Sequence, residues 1–469
     1  MRLYNNSVKI MTTYYVAKNG NDSNPGTEAS PWLTLTKTGN TAKAGDTVYI
    51  KEGTYNERLY PVNSGTPGNY IKFIGKNAII DNRMLSGGRS ECSIRLIHLD
   101  WIWIEGFTIY PSINIRCIWM GIDDFVSGET KFSSNLRIKG NHIIANARPH
   151  NLIHVGHYGG GGMEEGKNTD IIIEENTLTL SGTELEFPSN NAEMISLSYT
   201  NRCEVRYNQI YGSFGIGMCF KGGYTNLKIH HNIVEKSANQ AIYLDGYARY
   251  GANVEIYNNY LKDVGPFRTP YYLIPQPIIT LGAEWGQSAT IPHLKENVKI
   301  YNNILINADV GVNIGGGQNS PTIATFQNIH VYNNTIINMT GYGIQAPTWG
   351  INPPILKDIV IRNNLLYGGK KGTDDVIYHK NVLGITIENN HYSSGTSRDP
   401  GIFPTYGNPL FVSITDYHLR KESPCVDTGT SNGAPLFDYD NKPRIGNPDR
   451  GAHEYTTCNV SKCNFTITQ

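Results

Sequence analysis

Charge is the first scarcity. Only 17% of the 469 residues are Asp, Glu, Lys or Arg, and 40 acidic residues balance 40 basic ones. A net charge of zero argues against a nucleic-acid partner, which needs a basic face. Long apolar runs are missing as well. No stretch of about 18 apolar residues exists, so no membrane-spanning helix is expected. Cysteine is sparse, with seven in the chain, which excludes a disulfide framework. Cys92, Cys117, Cys203 and Cys219 lie in or beside apolar runs and read as buried thiols. Cys458 and Cys463, in TTCNVSKCN, are spaced either to close a small disulfide loop or to stay reduced. No second Cys/His pair has zinc spacing. The opening MRLYNNSVKIMTTYYVAKNG lacks the apolar core of a signal peptide. The expectation is a protein of the extracellular space, or of a cell or virion surface, with its signal already removed, with export by another route, or, in a virion, with no signal needed. Helix-forming Ala/Glu/Lys/Leu blocks are also absent.

What is present is glycine (49), tyrosine (30) and abundant asparagine, a composition of short strands and many turns. An alternating apolar tripeptide ending in Asn recurs: LRIKGN to Asn141, IIIEEN to Asn176, CEVRYN to Asn208, LKIHHN to Asn232, VEIYNN to Asn259, VKIYNN to Asn303, IHVYNN to Asn334, IVIRNN to Asn364 and ITIENN to Asn390. The spacings are 35, 32, 24, 27, 44, 31, 30 and 26 residues, a fixed frame near 24 with optional loops. A second short strand follows each Asn by about ten residues, as in AEMISLSY, GIGMCFKGG and QAIYLDGY. Asn-Gly and Asp-Gly hairpin turns are rare, so these strands stack in parallel, coil on coil. The repeating Asn is expected at a left-handed bend. Its amide is expected to bond the next Asn at the ~4.8 Å strand spacing.

This pattern resembles the right-handed parallel β-helix of the pectin-lyase-like superfamily, over roughly residues 70–400. The resemblance implies an all-β, single-stranded solenoid with caps at both ends. Residues 1–69 form the first cap and coil: PWLTL and AGDTVYIKEGTY, within residues 13–57, look like the opening of carbohydrate-active β-helix proteins. Residues 401–469 form the closing segment, in which SPCVDTG through GAHEY looks like the ending of the same proteins. Caps cover the open sheet edges of a solenoid. The Asp and Arg residues of YDNKPRIGNPDRGAHEY are read as structural ion pairs of that cap.

Aligning the second strands by their last inward apolar residue puts Ser198, Lys221 and Asp245 in one column, followed by Gly282. Gly156 or His157 falls in the same column one coil earlier. The strip comprises His157, Ser198/Tyr199, Lys221 and Asp245/Tyr247, with Glu193 at its edge. Solenoids bind extended polymers along such strips. The long excursions flank it, and GPFRTPYYLIPQP carries Arg268, Tyr271 and Tyr272. These aromatics, with Trp285, Trp349 and Glu284, suit sugar binding. AEMISLS…GIGMCFKGG also resembles, more loosely, a motif of the alginate and chondroitin-B lyases. That resemblance implies a cation-binding or carboxylate-facing Glu193 and a basic functional Lys221. Those lyases carry a Lys where Ser198-Tyr199 stand here.

Two chemistries remain open. β-Elimination at a uronic acid needs a base and a group that neutralises the C6 carboxylate, often Ca²⁺. Here the base is Lys221, or His157 or Tyr199 with Lys221 as the neutralising cation, and Ca²⁺ is held by Glu193 and Asp245. Hydrolysis needs two carboxylates, and Glu193 and Asp245, two coils apart, are expected about 9–10 Å from each other; Glu284 is a third. The leading expectation is a lyase of an acidic polysaccharide. The alternatives are a glycoside hydrolase and a non-catalytic glycan-binding spike, fibre or surface-layer protein. In the simplest structural reading, Lys221 and Asp245 are an ion pair between adjacent coils. Asp123-Asp124 are read as a turn and Glu164-Glu165 as solvated loop residues.

Overall fold

Each coil of the chain lays down three short strands, and each strand pairs in parallel with its equivalent in the next coil. The computed structural model describes residues 11–85, 91–112, 116–122, 131–145, 151–156, 167–180, 193–213, 215–245, 250–265, 276–282, 293–316, 323–347, 353–369, 377–394 and 399–456. The first sheet climbs from Cys92–Ile97 through Arg116–Gly121, Asn151–Val155 and the start of Glu193–Asn201 to Ile377–His379. The second begins at Thr13–Val16 and ends at Val382–Glu388. The third runs from Gly53–Tyr55 to Thr405–Tyr406. The architecture is the right-handed parallel β-helix expected from the repeat. A seven-residue helix, Leu35–Thr41, precedes the second rung, N-capped by the Thr34 side chain, which accepts from the Lys37 N–H.

Alternation decides what faces inward. In the first sheet Ile153, Ile195, Met218, Ile242 and Ile279 stack directly over one another, all fully buried. Removing such side chains from water contributes about 1.5–3 kcal/mol each. Their sequence neighbours on the same strands are left on the outer face.

The asparagine ladder is continuous. The Nδ2 of Asn141 donates to Oδ1 of Asn176, and the chain of bonds continues through Asn208, Asn232, Asn259, Asn303, Asn334 and Asn364 to Asn390 at 2.9–3.1 Å. Each backbone N–H in the row also donates to the next Oδ1. The left-handed residue, however, is the one before the ladder Asn. Asn258, Asn302, Asn333, Asn363 and Asn389 hold φ of 52–54°. The ladder Asn must point inward, so the bend falls on its predecessor, whose side chain turns out.

Those outward asparagines hold the closing segment. Asn258 donates to Tyr439 O, Asn302 to Phe437 O, Asn333 to Asp449 O, Asn363 to Thr430 O and Asn389 to Thr428 O. Residues 428–451 therefore run back along five coils as a strap. Arg444 bonds Glu454 at 2.9 Å and Asn302 at 3.0 Å, and both members of the Arg444–Glu454 pair are buried. Arg450 donates to Asn390 O, Phe403 O and Thr428 O. These contacts match the structural role expected of the Asp- and Arg-rich closing sequence.

The last coil carries a pH-sensitive group. His391 is buried, with Nδ1 2.9 Å from Thr405 Oγ1 and Nε2 3.0 Å from Gly407 O. Burial, aided by the charge of Arg450, pushes its pKa down to about 4 from 6.5. The unfolded chain thus binds the proton more readily. The stabilisation is whole above pH 6.5, erodes as pH falls, and is gone below about pH 4. Asp449, raised to about 7 by burial, acts in the opposite sense, but it is common to wild type and variant. The unfolding free-energy advantage of wild type over His391→Gln is expected to shrink by about 3 kcal/mol between pH 7 and pH 4. Urea titrations of both proteins across that range check it; parallel pH profiles would refute it.

Candidate functional site

The outer face of the first sheet positions the charged column. Leu197, Phe220 and Leu244 point into the core, so Ser198, Lys221 and Asp245 leave on the opposite side. Ser198 pairs with Lys221 in register. Phe220 pairs with Leu244, and Asp245 N–H donates to Phe220 O at 2.8 Å, which sets Asp245 over Lys221. Gly156 lies under Ser198: a Cβ added there would sit 2.4 Å from Ser198 O. Ser198 and Asp245 are buried, while the Lys221 side chain is 18% exposed.

Lys221 Nζ makes a contact ion pair with Glu193, whose side chain is fully buried. Glu193 lies opposite Ile216, five residues back along the strand from Lys221. The lysine stem must therefore run back over the sheet face, past Ser196 and Cys219, which are small enough to let it pass. The second Glu193 oxygen accepts from Asn151 Nδ2 at 2.9 Å, and Asn151 is its register partner one coil below. Arg116, also buried, stacks on the Trp119 ring at 4.3 Å one coil further down.

This geometry changes two expectations. Glu193 and Asp245 differ by two coils and also by five positions along the strand. Their backbones are roughly 19 Å apart at the usual strand spacings, not the 9–10 Å that counting coils alone suggests. They do not form a hydrolytic carboxylate pair as arranged. Nor do they fit a shared Ca²⁺, which takes about six to eight oxygen ligands at close range. Glu193 has one oxygen against an ammonium and the other on an amide.

Tyr199 is 1% exposed, with a left-handed φ of 55°, and its ring packs on Gly222, next to Lys221. His157, Tyr247, Arg268, Tyr271, Tyr272, Glu284, Trp285 and Trp349 lie outside the described residues, as do Asp123, Asp124, Glu164, Glu165, Cys458 and Cys463.

Behind the column lies a group that the sequence reading missed. Tyr224, Gly251 and Lys295 follow one another in register where the first sheet turns into the second. Lys295 is 1% exposed, and its ammonium sits 5.2 Å from the centre of the Tyr224 ring. Burial, reinforced by the charge of Asp245, holds the Tyr224 phenol well above its ordinary pKa. Beside them Tyr250 donates to Glu296 at 2.5 Å, and Gln327 donates to the other Glu296 oxygen at 2.7 Å. Lys295 occupies the position taken by Phe326 in the next coil. A cation in an otherwise apolar column was the available signal.

Gly251 makes this packing possible. A Cβ there would meet the Tyr224 ring at 2.6 Å and Lys295 Cδ at 2.9 Å. Gly251→Ala is expected to destabilise the protein by about 1–3 kcal/mol through overpacking, read as a lower denaturation midpoint at unchanged m-value. An unshifted midpoint would show that the two side chains part freely.

Among the described residues no helix is long and apolar enough to cross a membrane. Comparison with known proteins supports the architecture. Residues 18–61 match a domain family described as a protein of unknown function, DUF1565. A segment of 133 residues is 38% identical to the uncharacterized protein YwoF of Bacillus subtilis, and the match spans 28% of this chain and 28% of that relative's length. The fold is similar to XylC in its complex with xylose, with a TM-score of 0.62 and 12% identity over 95% of this chain and 98% of the other. It is similar also to a mannuronic-acid-specific polysaccharide family 6 lyase from human gut microbiota, with a TM-score of 0.50 and 13% identity over 85% and 92% of the two chains. At these identities the likeness establishes a shared parallel β-helix.

Proposed function

We propose that the protein is a carbohydrate-active enzyme that cleaves an acidic polysaccharide by β-elimination, with Lys221 as the cation that receives the sugar carboxylate. The observation carrying this reading is the Lys221–Glu193 ion pair on the outer face of the first sheet, in register with Ser198 and next to Asp245. An ammonium carries three N–H donors, so its contact with Glu193 is compatible with a second to a uronate. In elimination a base takes the C5 proton, the C4–C5 double bond forms as the C4–O bond breaks, and the departing oxygen is protonated by the now-protonated base or by water. Negative charge gathers on the C6 carboxylate as the proton departs, and a fixed cation beside it lowers the barrier. Because Lys221 is already engaged with a carboxylate, the role of proton acceptor passes to His157, since Tyr199 is 1% exposed and does not meet the substrate as arranged. The fold likeness to a mannuronic-acid-specific lyase is consistent with this substrate class.

Burial of Ser198, Asp245 and Glu193 favours a second reading, in which the column is structural and the solenoid only binds glycans. One assay separates them: alginate, pectate, glycosaminoglycans and neutral glycans incubated with wild type. A lyase produces an unsaturated sugar with ultraviolet absorbance. New reducing ends without that absorbance indicate hydrolysis, and binding with neither signal indicates the second reading.

A further inference from the structure

The closing segment gathers three side chains of a kind that the solenoid does not bring together elsewhere among the described residues. Asp438 organises the turn: its Oδ1 accepts from the N–H groups of Asp440 and Lys442, and its Oδ2 accepts from the Glu454 N–H. Tyr439 N–H donates to Ala452 O. These bonds bring Asp440 beside His453. His418 arrives from the preceding turn, its ring stacked on His453 with centroids 4.0 Å apart. One nitrogen or oxygen from each of His418, Asp440 and His453 lies within 4.8 Å of the others.

The details have the form of a metal site. His418 Nε2 is 2.6 Å from Asp440 Oδ2. Its other nitrogen, Nδ1, is 2.5 Å from Asp416 Oδ1, as in carboxylate–histidine–metal arrangements, where an outer carboxylate orients the ring and fixes its tautomer. Both ring nitrogens of His418 thus face carboxylates at hydrogen-bonding distance, and a divalent cation held by Nε2 and Asp440 Oδ2 can take the place of a ring proton. His453 is 5% exposed, and its Nδ1, shut off from solvent, faces Asp440 Oδ2 at the long distance of 3.5 Å. A metal ion between the two would give this buried nitrogen a closer partner than the distant carboxylate. Lys442 Nζ, 3.1 Å from the same carboxylate oxygen, competes for the position. Two imidazole nitrogens and one carboxylate oxygen suit zinc and its neighbours rather than the all-oxygen preference of calcium or magnesium.

We infer that His418, Asp440 and His453 bind a divalent transition metal of the zinc class, oriented by Asp416 and completed by water on the exposed His418 side, and that the metal pins the strap together. The site is remote in sequence from the Lys221 column, and the inference does not depend on the proposed reaction.

The test uses the full chain, stripped with chelator and titrated with Zn²⁺ by calorimetry and with Co²⁺ by visible absorption. One saturable site per chain is expected, with the Co²⁺ spectrum of a low-coordinate nitrogen/oxygen site. His418→Gln, at a half-exposed position, is expected to weaken binding on the order of 100-fold, and Asp416→Asn about tenfold. Lys442→Gln is expected to tighten it severalfold by removing the competing ammonium. His230→Gln, at a separate histidine cluster on the solenoid wall, is expected to leave the affinity unchanged. Absence of saturable binding by wild type, or equal affinity in a folded His418→Gln, overturns the proposal.

Discussion

Lys221→Ala is expected to lower kcat on a uronic-acid polysaccharide by about two to three orders of magnitude, with a much smaller change in KM. A group that meets charge developing in the transition state acts on kcat, and loss of one such donor costs about 10²–10³. The substitution also strips the fully buried Glu193 of its cation, and breaking a buried pair from one side costs about 3–5 kcal/mol of stability. The activity loss must therefore be read together with a melting curve. Lys221→Arg keeps the charge and the contact with Glu193, so it should hold stability near wild type while retaining a measurable part of kcat. Glu193→Gln in the Lys221→Ala background removes the stranded carboxylate and should recover stability but not turnover. If the double variant recovers both, Lys221 serves the scaffold and the proposed role falls. If Lys221→Ala, still folded, turns over at the wild-type rate, the site lies elsewhere.

Asn303→Ala is expected to cost about 3–5 kcal/mol of unfolding free energy. Its Nδ2 donates to Ile256 O, Tyr301 O and Asn334 Oδ1, and its Oδ1 accepts from both the N–H and the Nδ2 of Asn259. Truncation strands several buried donors and acceptors at once, each costing about 1–3 kcal/mol where water cannot reach. The neighbouring Asn302 gives an internal control. Its side chain bonds Phe437 O and Arg444, so Asn302→Ala loosens the strap rather than the wall and should cost less. Denaturant titration with hydrogen exchange on the coils around residue 303 checks both. A loss below about 1 kcal/mol for Asn303→Ala would mean that sheet pairing and core packing hold the stack without the amide row.

The wall of the solenoid was legible because its signals are local and repeated. Every copy of the apolar-x-apolar-x-x-Asn repeat states which residues face inward and where the chain bends. Placing the left-handed φ on the ladder Asn is a one-residue error: the bend falls on its predecessor, which is Gly140, Glu175, Tyr207 or His231 in four coils and Asn only in the later ones, so residue preference at that position did not announce it. The column through Ser198, Lys221 and Asp245 was legible for the same reason, namely period-two alternation and a common last inward residue. The Glu193–Lys221 pair was not. Counting coils gives heights in the stack but no offset along the strand, and a lysine stem crosses that offset. Lys295 was overlooked because HLKEN reads as polar linker until its register with Tyr224 and Phe326 is known. His418, Asp440 and His453 belong to a segment with no internal period, so nothing in their spacing announces that they meet.

The strap has a consequence for biogenesis. The outward amides of Asn258, Asn302, Asn333, Asn363 and Asn389 find their acceptors between residues 428 and 451. During synthesis those five bends emerge before the residues that seal them, and the earliest, Asn258, waits for its acceptor Tyr439, 181 residues later. Coil stacking can proceed vectorially behind the ribosome, but the seam closes in another order, from Asn389 and Asn363 back to Asn302 and Asn258, with Asn333 answered last by Asp449. A nascent chain stalled before residue 428 would display a row of unanswered amides along one edge, a marker by which quality control can tell an unfinished molecule from a finished one.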